Sequence, residues 1–79
     1  MNIINGIKSY IKEDDVKITI IKNKINIINY TDIGHFDNNK IVVKLYDSNF
    51  TIKGQDLVVS KLLNDEILIT GIFDSIEFR

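Results

Sequence analysis

No cysteine, proline, alanine or tryptophan occurs in the 79 residues, and each absence narrows the possibilities. Without cysteine there is neither a disulfide framework nor a thiolate zinc site to hold so short a chain, so its apolar core must stabilise it. Charge of either sign is also not in excess: ten Lys and Arg against eleven Asp and Glu give a formal net charge of −1. The lysines are interleaved with carboxylates, so the basic stripe of a phosphate-binding surface is missing. Apolar runs are only a few residues long, which predicts neither a transmembrane helix nor a signal peptide and points to an intracellular protein.

What the chain does have is isoleucine, with valine and leucine behind it. β-Branched side chains are stiff at χ1 and pack well on a pleated surface, so this composition favours sheet over helix. The N-terminal stretch is the exception. Ile3, Ile4, Ile7 and Ile11 recur at helical spacing, which predicts a short amphipathic helix over residues 1–12. Such a helix either covers an edge of the sheet or docks on a membrane surface or partner, and the sequence leaves both open.

From Val16 onward the period is two. Ile18 and Ile20 alternate with Lys17 and Thr19, and turns are expected at Lys22-Asn23-Lys24, Asp37-Asn38-Asn39, Asp47-Ser48-Asn49 and Asn64-Asp65. The doubled Ile27-Ile28 suggests a bulge or a position covered on both faces. About seven short strands result. The expected fold is all-β, a small antiparallel sandwich or closed-up meander over residues 16–79, in one domain spanning 1–79. Its core should comprise Ile18, Ile20, Ile41, Val43, Phe50, Ile52, Leu57, Val59, Ile67, Ile69 and Ile76.

Two glycines interrupt this pattern informatively. Gly54 precedes Leu57, Val59 and Leu62; Gly71 sits between Ile69 and Ile72, followed by Ile76 and Phe78. Glycine weakens a strand unless it marks a bulge, a bend or a close backbone approach, so both are expected to bend the sheet.

Residues capable of chemistry are few. His35 is the single histidine, and its nearest carboxylates, Asp32 and Asp37, are of the type that builds turns. No phosphate loop, nucleophile elbow or metal-ligand spacing can be assembled, so catalytic, cofactor and metal residues are all expected to be absent. Tyr30, Phe36, Tyr46, Phe50, Phe73 and Phe78 could form a base-stacking platform, but their neighbours Asp32, Asp37, Asp47, Asp74 and Glu77 are acidic. Core packing is the expected use of these rings.

The segments Ile52-Lys53-Gly54-Gln55-Asp56-Leu57-Val58-Val59-Ser60-Lys61-Leu62 and Ile69-Thr70-Gly71-Ile72-Phe73-Asp74-Ser75-Ile76-Glu77-Phe78 resemble the C-terminal half of the YabP/YqfC family of sporulation proteins. Ile18-Thr19-Ile20 and Ile27-Ile28-Asn29-Tyr30 match the family's earlier strands in order. The motif residues are therefore Gly54, Leu57, Val59, Leu62, Ile69, Gly71, Ile76 and Phe78. The resemblance implies a non-enzymatic β-domain acting in spore formation, in the mother cell or at the developing spore coat. It implies scaffolding or protein interaction, with coat or mother-cell proteins or a second copy of itself as partner. A small-barrel nucleic-acid binder and an adaptor of unrelated machinery are the alternatives.

Overall fold

The structure is a computed structural model that describes residues 15–78; the helix expected over 1–12 lies outside them. Six strands follow in order: β1 (Lys17–Ile21), β2 (Lys24–Ile28), β3 (Asp32–Phe36), β4 (Lys40–Lys44), β5 (Asn49–Leu62) and β6 (Glu66–Phe78). All neighbours pair antiparallel in one sheet of order β1-β2-β6-β5-β4-β3. The all-β class is as the composition predicts.

Six strands stand where about seven were expected, because the chain continues as strand through Gln55-Asp56. β5 runs through it for 14 residues, and β6 runs through Gly71 for 13. Nor is the order a simple meander. β3 to β6 follow one another, but β2 pairs with β6, not β3.

That pairing forces the sheet to fold over. Ile28, the end of β2, lies opposite Glu66, near the closed tip of the β5–β6 hairpin. Asp32, the start of β3, lies opposite Lys44, which is opposite Asn49 at the hairpin's open end. A straight strand of β5's length would hold these points about 45 Å apart. The connection from Ile28 to Asp32 can span only about 14 Å when fully extended. The hairpin must therefore double back. Linker hydrogen bonds agree: the Asn29 N–H donates to the Asp65 carbonyl at 2.6 Å, and the Thr31 N–H to the Lys44 carbonyl at 2.8 Å. Tyr30 closes the same seam, its hydroxyl donating to the Leu63 carbonyl at 2.6 Å.

The fold line crosses the hairpin where the two ladders lose register. Pairing shifts between Lys53 and Gly54 and again between Gln55 and Val58, with Asp56 at φ 54° and Gly71 at φ 143°. Strands can change sheets at such bulges, which makes corners between packed layers. One half-sheet holds β1, β2, the start of β6 and the end of β5. The other holds β3, β4, the start of β5 and the end of β6. Their facing sides supply one core. Ile25, Ile27, Ile67 and Ile69 come from the first, Ile41, Val43, Phe50 and Ile52 from the second, and Leu57 from the corner.

The expected core is largely found, and Leu45 just after β4 joins it. Ile25 and Ile27 are fully buried though not anticipated, because β2 is an interior strand. Ile20 is 53% exposed, because β1 is an edge strand: it faces the core side beside buried Ile25 but has no strand beyond it. Ile18, Val59 and Ile76 are half-buried against the core. β2 passes Ile27-Ile28 with no bulge, placing Ile27 in the core and Ile28 half-buried on the other face.

Candidate interaction surface

The β1–β2 and β3–β4 turns do not hang free; each caps a bend. The Gly71 N–H donates to the Asn23 carbonyl of the β1–β2 turn at 3.2 Å. The Gly54 and Leu57 N–H groups donate to the carbonyls of Asn39 and Asn38 in the β3–β4 turn, both at 2.9 Å. These bonds satisfy donors that the bulges remove from the ladder. In the β1–β2 turn the positive φ falls on Lys22, at 21°.

Both motif glycines are required by contact. A Cβ on Gly54 would lie 1.9 Å from the Ile72 carbonyl oxygen, and one on Gly71 would lie 2.7 Å from the Asp56 carbonyl oxygen. Gly54, Leu57 and Gly71 thus meet at one corner, where the sequence pattern suggests two separate bends. Val59 stands opposite Ile69, and Ile76 opposite Ile52, in the flanking halves. Leu62 and Phe78 lie at strand ends and are 55% and 63% exposed, although the Phe78 ring stacks on Phe50 with centroids 4.8 Å apart. The motif is therefore the folded corner and its flanks rather than a binding pocket.

His35 and Asp37 do come together, the imidazole Nε2 lying 2.8 Å from Asp37 Oδ2. Asp37 Oδ1 accepts the N–H groups of Asn39 at 2.8 Å and Lys40 at 2.7 Å, the geometry of an Asx turn. The Asn39 N–H above all, then His35, then the Lys40 N–H, hold the Asp37 carboxyl below the usual aspartate range. Asp32 instead accepts its neighbour's backbone, the Ile33 N–H, at 2.8 Å. Among the described residues no three His, Cys, Asp or Glu are grouped so as to hold a metal ion.

A carboxylate whose folded value is depressed stabilises the fold above its unfolded value, and that contribution is lost as pH falls through the depressed one. We predict that Asp37→Asn, which can keep the Oδ1 acceptor, flattens the acid side of the thermal-stability profile relative to the parent. Melting curves between pH 2 and 6 check this; parallel acid limbs for both proteins would count against it.

The rings do not make a platform. Phe50 is fully buried against Phe78, Phe36 stands exposed on β3, and Tyr30 and Tyr46 share a depression with Asp15, Asp47 and Asp65.

Among the described residues, four stretches of strand edge have no second partner strand: β1, β3, residues 58–62 of β5 and residues 72–76 of β6. Three are interrupted. β3 carries a register shift between Ile33 and His35, β5 one between Val59 and Lys61, and β6 has Asp74 unmatched between Phe73 and Ser75. Bulges twist an edge and spoil its use as a template. β1 pairs with β2 without any shift over all five residues, and it exposes Ile20 at 53% and Ile21 at 62%. Among the described residues it is the one such edge whose pairing carries no shift.

Fold and surface together define a small all-β protein built around a folded hairpin, with β1 at one margin of the described sheet. The model of the YabP family matches residues 12–79, and the chain belongs to that family. Membership points to a sporulation-related protein. No curated protein and no solved structure matches it. No helix among the described residues is long and apolar enough to cross a membrane.

Proposed function

We propose that the protein is a non-enzymatic interaction module of spore formation, working in the mother cell or at the developing coat by offering the β1 edge to a strand of a protein partner. The observation that carries this reading is the unbulged pairing of β1 together with the exposure of Ile20 and Ile21. Strand addition supplies affinity through main-chain hydrogen bonds and selectivity through alternate side chains. The other three edges among the described residues are bulged, which leaves β1 as the favoured template. A nucleic-acid surface is disfavoured by the acidic surroundings of Tyr30 and Tyr46.

The test is a double substitution, Ile20→Lys with Ile21→Lys, introduced into the gene in its spore-forming host. Both side chains are more than half exposed, so the melting temperature should move little. Heat-resistant spore yield should fall toward that of the gene deletion, at unchanged protein level. A normal yield from the double variant would sink the reading, provided the deletion itself lowers yield.

A further inference from the structure

β1 is complementary to itself, and we infer that its partner strand is β1 of a second copy, in a symmetric antiparallel dimer centred on Thr19. This rests on the reading of β1 as the pairing edge and adds the identity of its occupant. Edge strands of identical chains meet most simply about a two-fold axis, where residue i of one faces residue j of the other and j faces i.

The sequence Lys17-Ile18-Thr19-Ile20-Ile21 fits such an axis well. With Thr19 opposite Thr19 of the second copy, Ile18 lies opposite Ile20, and Lys17 opposite Ile21. All five residues are then paired. Ile18 and Ile20 share the face of buried Ile27 and Ile25, so the two isoleucine pairs would extend the apolar face from one copy into the next. On the other face the two threonines meet across the axis. Thr–Thr and β-branched pairs are favourable cross-strand neighbours. No lysine opposes a lysine in this register.

Other registers do worse. An axis between two residues would align the core side of one sheet with the outer side of the other, because a one-residue slip reverses the faces. Within β1 an axis on Ile18 pairs only residues 17–19 and an axis on Ile20 only residues 19–21. The contact is small against the roughly 1,200–2,000 Å² of a standard stable interface, so the dimer should depend on concentration. A net charge of −1 imposes little repulsion between copies.

The absence of cysteine makes the register directly testable in the full chain. Directly opposed residues in antiparallel strands have Cα atoms about 4.5–5.5 Å apart, within disulfide reach. Thr19→Cys should therefore cross-link to itself under mild oxidation. Lys17→Cys and Ile21→Cys should each cross-link poorly alone but efficiently when mixed. Sedimentation of the parent protein should show a monomer–dimer equilibrium, shifted at least tenfold toward monomer by Ile20→Lys with Ile21→Lys.

Efficient self-cross-linking of Lys17→Cys or Ile21→Cys with none from Thr19→Cys would overturn the register. A parent protein that sediments as monomer at millimolar concentration, with no cross-linking from any variant, would overturn the dimer. The two readings fail separately. Loss of spore yield in the double lysine variant without dimerisation of the parent leaves β1 as an edge for a different strand. Dimerisation with unaffected spore yield removes the functional reading alone.

Discussion

Gly54→Ala is expected to remove most of the protein's stability, although it adds a single methyl group. That methyl would lie 1.9 Å from the Ile72 carbonyl oxygen, 3.0 Å from the Ile72 carbonyl carbon and 3.1 Å from the Phe73 Cα. All three are backbone atoms of the adjoining strand, so no rotamer change can relieve the overlap. β5 and β6 would have to separate at the corner on which both half-sheets depend. A chain of this length has roughly 4–12 kcal/mol in total, and a loss above about 4 kcal/mol would leave little of it. Gly71→Ala should also be costly, since it combines φ 143° with a contact of 2.7 Å to the Asp56 carbonyl oxygen. Gly34→Ala is the control. Its nearest neighbour is the Lys44 Cε at 3.1 Å, a flexible side-chain atom that can move aside. Urea titrations followed by far-UV circular dichroism should rank the three in that order, with Gly34→Ala within about 1 kcal/mol of the parent. A Gly54→Ala protein with the parent's midpoint would show that the corner is not formed as described.

The corner was legible because glycine within an alternating strand has few physical explanations. At Gly54 and Gly71 the explanation is close backbone approach, and the two positions proved to face the same fold line. Turn chemistry was equally readable at Asp37, whose carboxylate closes the β3–β4 turn. Strand order was not readable. The alternation that marks β2 as half-buried says nothing about whether its second neighbour is β3 or β6. That choice is made by long-range packing of Ile25 and Ile27 against the opposite half-sheet. The same limit explains Ile20. Its pattern is that of a core residue, and its exposure follows from β1 lying at the margin of the sheet. The candidate interaction surface went unassigned for a related reason. An edge strand and a central strand can share one binary pattern, and only their strand partners separate them. Lys17-Ile18-Thr19-Ile20-Ile21 did hold one hint, the lack of glycine, proline or an internal charge that would blunt an edge.

Phe50→Ala should cost about 3–5 kcal/mol, the usual range for emptying a large aromatic site in a core. Phe50 is the largest of the fully buried side chains and lies near the open end of the folded hairpin. It is opposite Val43 on β4 and opposite Phe78 on β6, so it holds three strands of one half-sheet against the isoleucines of the other. Removing the ring takes away both the buried apolar area and the tilted contact with Phe78, whose ring plane is inclined by 55° to it. Phe78 is 63% exposed and could swing inward, which would bring the loss toward the lower end of the range. Ile20→Ala provides the contrast, because a side chain more than half exposed on an edge strand should cost below about 1 kcal/mol. Equilibrium urea unfolding distinguishes these outcomes, with an unchanged slope confirming that the denatured states are comparable. Equal losses for the two variants would mean that the core lies nearer β1 than the burial of Phe50 implies, and would place the pairing edge elsewhere.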